Sequence, residues 1–133
     1  MLKPDCLKRG LEKDVIALIE SAGLDIVAMK KVRLTRAQVD AIWPGCKPMA
    51  FHEEMVVFST SNDCMVFIVE GEDAIGRLSA LVGHYDPRLA EAGTIRHRFG
   101  ISLMENIIHS SFDAEMYQRE SSMFFDGTQK LGQ

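Results

Sequence analysis

Two strand-like runs, Asp25 to Leu34 (DIVAMKKVRL) and Cys64 to Val69 (CMVFIV), are separated by two short helical patterns rather than by a tight turn. This alternation constrains the fold more than any other feature of the chain. Between the runs, Thr35 and Gln38 form a capping box for a helix reaching Trp43, which Pro44-Gly45 stops. Phe51, Met55 and Phe58 mark a second short helix. Ahead of the first run, Leu11, Val15, Leu18, Ile19 and Ala22 share one face of a helix over about Gly10 to Ala22, closed by Gly23. The second run reads as a buried strand. Beyond it come a helix over Glu72 to Val82 with Ile75, Leu78, Leu81 and Val82 inward, and a polar loop from Gly83 to Gly93 containing Pro87. A short strand is predicted over Asn106 to Ile108 and a last helix over Ser111 to Phe125, closed by Asp126-Gly127. Helices between strands indicate α/β or α+β, and few strands with short connections favour a small sheet of the split βαβ kind. A first strand would be only a stub, because Met1-Leu2 stands directly before Lys3-Pro4. Either the natural start of the domain is missing or that strand is unusually short.

The 133 residues fit one domain, 1–133, with no internal repeat or linker, and 47% hydrophobic content argues against disorder. A net charge of −4 speaks against sequence-independent nucleic-acid binding, which needs a basic surface. No apolar run approaches a membrane span, and MLKPDCLKRG lacks a signal-peptide core, so a cytoplasmic protein is expected. Cys6, Cys46 and Cys64 are widely spaced without a CxxC pair and read as reduced thiols.

The segment ENIIHSSFDAEMYQRE, Glu105 to Glu120, carries the most chemistry. At 100° per residue, Phe112, Met116, Glu120 and Met123 fall in one narrow arc, which puts a carboxylate in an apolar stripe. Buried alone it would be costly, so it requires a partner, and His109 is the candidate. Such a pair can orient an imidazole and tune its basicity for nucleophilic or acid–base work, or it can be a structural contact. Asn106, Ser111, Arg96 and Arg98 lie close in sequence. Cations and amide donors around a nucleophilic histidine suit phosphoryl transfer, which is mostly positioning and charge stabilisation.

Other motifs fail. HEEMV at His52 to Val56 lacks the second histidine of a zinc-binding HExxH, and His52 reads as a surface residue. His84 and His97 have no partners at metal-ligand spacing. There is no GxxxxGK[ST] and no GxGxxG, so a nucleotide would bind without a Walker-type phosphate loop. Trp43, Phe51 and Met55 offer an aromatic-lined slot for a base, although aromatics at helical spacing are more often core.

KPD near the start, VAMK at Val27 to Lys30, GTIR followed closely by FG, NIIHSS, and RE before MFF together resemble the signature of nucleoside diphosphate kinases. The resemblance runs from Lys3 to Phe125 without a gap, and Asn-x-x-His-x-Ser is its specific part. It implies a ferredoxin-like antiparallel sheet covered by helices, in an α+β chain that assembles as a homo-oligomer. It also implies ping-pong transfer of the terminal phosphate of ATP or another nucleoside triphosphate to a nucleoside diphosphate, with magnesium carried by the nucleotide phosphates. By resemblance His109 is the phosphate-carrying nucleophile, Glu120 orients it and Ser111 assists. Lys3, Arg96 and Asn106 match phosphate- and sugar-contacting positions. Trp43 stands where a tyrosine is usual, Phe51 matches the residue against which the base stacks, and Met55 replaces a neighbouring leucine.

The chain departs from the family at several points. Ser79 replaces a phosphate-contacting arginine, Tyr85 a phosphate-contacting threonine, Ser110 a glycine and Phe112 an aspartate. A lost guanidinium removes charge-assisted bonds of roughly 1.5–3 kcal/mol. Arg98 is a candidate substitute, whereas Arg77 lies two residues from Ser79 on a helix and points elsewhere. The expectation is a divergent nucleoside diphosphate kinase; the alternative is a weak or inactive kinase-like module for nucleotide binding or assembly within a larger protein or complex.

Overall fold

The computed structural model describes residues 1–125, so the predicted closure of the last helix at Asp126-Gly127 lies outside the described residues. Its elements run α1 (Pro4–Lys8), α2 (Glu12–Ser21), β1 (Asp25–Val32), α3 (Arg36–Ile42), a 3-10 turn (Pro44–Cys46), α4 (His52–Ser59), β2 (Cys64–Glu70), α5 (Ala74–Val82), α6 (Ile95–Phe99) and α7 (Ala114–Phe124). This is the α+β class expected. β1 and β2 pair antiparallel from Asp25 opposite Glu70 to Val32 opposite Cys64, with an irregularity between Ile26 and Ala28. The helical hairpin α3–α4 returns the chain, so β2 lies beside β1 without a tight turn.

The stub of a first strand is real. Leu2 forms antiparallel bridges with Met65 on one side and Ile108 on the other, placing it between β2 and the segment that leads into α7. The predicted strand over Asn106 to Ile108 is corrected to that single bridge. Ile107 adopts a left-handed φ of 76°, which an extended ladder cannot accommodate. Ile107 is nevertheless fully buried, and its N–H is received by Asp5 Oδ2 at 3.0 Å.

CMVFIV is apolar throughout because both faces of β2 are covered. Cys64, Val66 and Ile68 face a core with Ala28, Val39, Ile42, Val56 and Phe124. Met65, Phe67 and Val69 pack on the opposite side against the cluster of Leu2, Val15, Ile19, Leu24, Ile95 and Ile108. Burying a side chain such as Ile19 contributes about 1.5–3 kcal/mol. Cysteine thiols at 6, 46 and 64 are all free.

Local chemistry sets the helix ends. The capping box holds: Thr35 Oγ1 accepts from the Gln38 N–H at 3.2 Å and Gln38 Oε1 from the Thr35 N–H at 3.0 Å. α2 stops at Gly23, whose φ of +84° a side chain rarely adopts. The helix expected from Gly10 starts at Glu12, since left-handed Gly10 separates it from α1. α5 begins two residues later than expected, after left-handed Asp73. α7 begins at Ala114 rather than Ser111, because Asp113 Oδ1 accepts from the Met116 N–H at 2.8 Å and so caps the helix there. Phe112 therefore precedes α7 and is exposed, so it is not part of an apolar stripe. Two short helices, α1 and α6, have no counterpart in the apolar periodicity; each has five residues, too few for a repeat to show. Among the described residues no helix is long and apolar enough to cross a membrane.

Candidate active site

His109 stands where the bridged segment turns toward α7, and Glu120 sits one and a half turns into that helix. Their side chains meet at 2.7 Å, His109 Nε2 to Glu120 Oε2, and both are largely buried. Ser111 donates to the other carboxylate oxygen, Oε1, at 2.5 Å. Both oxygens of a buried carboxylate are thus occupied, which answers the requirement that it have partners. The backbone of His109 is tied to Met1 in both directions, at 2.8 Å and 2.7 Å, and the ring meets Trp43 edge-on with centroids 5.1 Å apart. Few degrees of freedom are left to the imidazole.

Protonation follows from these contacts. Burial lowers the pKa of His109 below the ordinary histidine range, and the hydrogen bond and charge of Glu120 oppose this without reversing it. Burial alone would raise the Glu120 carboxyl, but its bonds to His109 and Ser111 outweigh that and the net direction is down. At neutral pH the pair is a neutral imidazole beside a carboxylate. Nε2 then carries the proton it donates to Glu120, and Nδ1 keeps its lone pair.

His109 also lines a cleft of about 1100 Å³ between the α3–α4 hairpin and the loops around Tyr85 and Leu103. Lys3, Trp43, Phe51, Met55, Tyr85, Arg96 and Asn106 all line the same cleft. Glu120 and Ser111 do not; they stand behind the ring, beside a smaller cavity of about 110 Å³. Phe51 and Tyr85 are among the exposed large side chains of the protein, and Tyr85 stacks on His84 with centroids 4.4 Å apart.

The cations at the cleft floor are held by the protein. Lys3 Nζ donates to Met104 O at 2.8 Å and to Asn106 Oδ1 at 2.7 Å, while Asn106 Nδ2 donates to Tyr85 O at 2.9 Å. Arg96 donates to three carbonyls, those of Gly83, Asn106 and Ile108. Burial lowers Lys3 to about 8, with Asp5 opposing and Arg96 adding to the shift. Burial likewise lowers Arg96 to about 10. Gly83, whose carbonyl accepts from Arg96, packs closely on Thr94: at φ +90°, a Cβ there would stand 2.6 Å from Thr94 Oγ1.

Several expectations are corrected. Arg98 does not substitute at the cleft, because its guanidinium stacks over Phe99 at 5.3 Å instead. Arg77 points away, as expected, and donates to the carbonyls of Ala22 and Glu72. Ser79 does line the cleft, as an uncharged wall. His52 is not a surface residue: it is partly buried, with Nε2 2.6 Å from Asp40 Oδ1. The pairing joins α3 to α4, and no HExxH-like spacing signals it. Sequence reasoning also missed Leu103 and Arg119 as cleft residues and Met104 as an acceptor for Lys3. Met104 acts through its carbonyl, which no side-chain pattern can announce. Arg119 stands beside the singled-out Glu120 and was readable in principle.

Comparison with known proteins supplies the context for this geometry. The family described as nucleoside diphosphate kinase matches residues 1–130. A nucleoside diphosphate kinase of Saccharolobus solfataricus is 39% identical over 95% of this chain and 91% of its own length. One from Chlorobaculum tepidum is 43% identical over 94% of this chain and 89% of its own. Among solved structures, a halophilic nucleoside diphosphate kinase from Halobacterium salinarum in complex with CDP superposes with a TM-score of 0.93 at 31% identity, covering 99% of this chain and 88% of that one. The apo enzyme from Encephalitozoon cuniculi gives 0.92. The ferredoxin-like architecture expected from the sequence stands on these superpositions.

Proposed function

Because the chain belongs to the nucleoside diphosphate kinase family, we propose that it transfers the terminal phosphate of a nucleoside triphosphate to a nucleoside diphosphate through phospho-His109, as one domain over residues 1–133. The observation that carries this reading is the Ser111–Glu120–His109 chain of hydrogen bonds ending at the cleft. In the first half-reaction Nδ1 of His109 attacks the terminal phosphorus, an N–P bond forms, and the bond to the bridging oxygen breaks as the diphosphate leaves. The imidazole gains positive charge in that step, and ionised Glu120 stabilises it through Nε2–H. In the second half-reaction a terminal oxygen of a bound nucleoside diphosphate attacks the same phosphorus and Nδ1 leaves. One histidine serves both halves, which is ping-pong behaviour.

Lys3 and Arg96 supply positive potential at the cleft floor, and Asn106 holds Lys3 in place. Phe51 offers an exposed ring on which a base can stack, with Met55 and Trp43 on the same wall. Tyr85 forms the opposite rim. Stacking of this kind is tolerant of base identity. Among the described residues no three His, Cys, Asp or Glu side chains are grouped to hold a metal. We assign the magnesium of this reading to the nucleotide phosphates, where it offsets their charge. We extend the reading to a homo-oligomer acting in the cytoplasm on nucleoside di- and triphosphates, without nucleic acid or membrane.

The test is incubation with magnesium and ATP labelled at its terminal phosphate. Acid-labile label on the protein, absent in His109→Ala and passed on to an added nucleoside diphosphate, is the expected result. Folded protein that binds nucleotide yet takes no label would sink the kinase reading. It would leave the nucleotide-binding or assembly module, which the uncharged wall at Ser79 favours.

A further inference from the structure

We infer that Arg119, on the α7 wall of the cleft, is a phosphate-contacting residue for the bound nucleotide; this rests on the kinase reading above. Lys3, Arg96 and Arg119 are the lysine and arginine side chains that line the cleft. Lys3 spends its ammonium on Met104 O and Asn106 Oδ1, and Arg96 spends its guanidinium on three backbone carbonyls. Both are anchored in the floor and desolvated, which fixes them in place but limits the donors they can offer. Arg119 is exposed and has no hydrogen bond or ion pair among the described residues.

Arg119 lines the cleft from α7, as does Met116 one turn before it, while Glu120 reaches behind the ring of His109. The facing wall at Ser79 carries no charge. A nucleoside diphosphate or triphosphate brings several negative charges into this space, more than two committed cations can satisfy with directed bonds. A guanidinium whose donors are uncommitted among the described residues is suited to phosphate oxygens, which it can engage through two parallel bonds. Its long side chain also lets it follow the phosphates without disturbing the His109–Glu120 pair.

Calorimetric titration with magnesium and ADP tests this on the wild type, Arg119→Gln, Arg119→Lys and Lys13→Gln, a control that removes one exposed charge from α2 outside the cleft lining. The expected result is about tenfold weaker ADP binding by Arg119→Gln with a shallower salt dependence, as for a lost charge-assisted bond. Arg119→Lys should recover part of the affinity, since an ammonium keeps the charge but not the two parallel bonds, Lys13→Gln should stay within about twofold of wild type, and thermal melting should be unchanged in all three. ADP affinity of Arg119→Gln within about twofold of wild type, or a loss matched by Lys13→Gln, overturns the role of Arg119 alone. Wild-type protein that binds no ADP overturns the kinase reading and this inference with it.

Discussion

The protein contains two histidine–carboxylate pairs of nearly the same length, His109–Glu120 at 2.7 Å and His52–Asp40 at 2.6 Å. Their surroundings differ in every respect that chemistry uses. Glu120 has both oxygens engaged, whereas Asp40 bonds His52 through Oδ1. His109 opens onto the cleft; neither His52 nor Asp40 lines it. Buried Lys3 and partly buried Arg96 line the cleft with His109, while the second pair shares the hairpin surface with the exposed ion pair Arg36–Glu53. A short contact between imidazole and carboxylate is therefore no sign of a reactive histidine. What distinguishes the first pair is where the other ring nitrogen can go.

The largest expected effect breaks the comparison on the reactive side. His109→Asn removes the nucleophile of the proposed reaction, and turnover should fall by at least about 10⁴, with no acid-labile label in single-turnover assays. Glu120→Gln keeps the packing but removes the charge that stabilises the developing imidazolium in the proposed reaction. The labelling rate should fall on the order of 10², as when an orienting partner is lost, while ADP affinity stays unchanged. Because burial holds His109 below the ordinary histidine pKa, wild-type labelling should decline less as pH falls from about 7.5 to about 6.5 than the half-protonation of an unperturbed imidazole would impose. A decline as large as that of an unperturbed imidazole would mean the pair is more solvated than its geometry indicates.

Lys3 sharpens the contrast through stability. Its pKa is lowered from 10.5 to about 8 in the folded protein. Below about 8 both folded and unfolded chains carry the proton, and the folded state bears the full penalty of burying the charge. Between 8 and 10.5 the unfolded chain holds the proton and the folded one does not, so this penalty is relieved as pH rises. The stability of wild type relative to Lys3→Met should then increase from pH 8 to pH 10.5 by roughly 3 kcal/mol, measured by denaturant unfolding. At pH 7 the removed penalty and the lost bonds to Met104 and Asn106 act in opposite directions, and the variant should bind ADP more weakly. An exposed cation such as Arg36, beside the other pair, should show no comparable pH-dependent difference.

Much of this was legible in the sequence where side chains carried the information. The capping box at Thr35 and Gln38, the two-faced burial of CMVFIV and the need of Glu120 for a partner follow from residue types and spacing. What was not legible lay in the backbone. The left-handed Ile107 that limits the expected strand to one bridge, the Asp113 cap that shifts the start of α7, and the carbonyls that hold Lys3 and Arg96 leave no periodic trace. His52 was misread for a related reason: its partner, twelve residues earlier, is reached only because α3 and α4 fold against each other. The residue roles at the site came from resemblance; the residues alone reached a tuned histidine among groups suited to phosphate.

The smallest expected effect tests the second pair on its own terms. His52 joins α4 to Asp40 on α3, and this hairpin carries Trp43 just after α3 and Phe51 and Met55 on its other arm. The pair cannot exchange a phosphate with the cleft, but it can hold the wall on which a base rests. His52→Asn should leave the amount and rate of His109 labelling within about twofold of wild type, while KM for nucleotides rises about twofold as the wall loosens. Asp40→Ala should behave in the same way, since either change removes the same tie. If His52→Asn abolished labelling on folded protein, the second pair would be coupled to the chemistry and the contrast between the pairs would be lost. If KM did not move either, the hairpin would be held by Val39, Ile42 and Val56 in the core alone, and the histidine contact would be incidental to it.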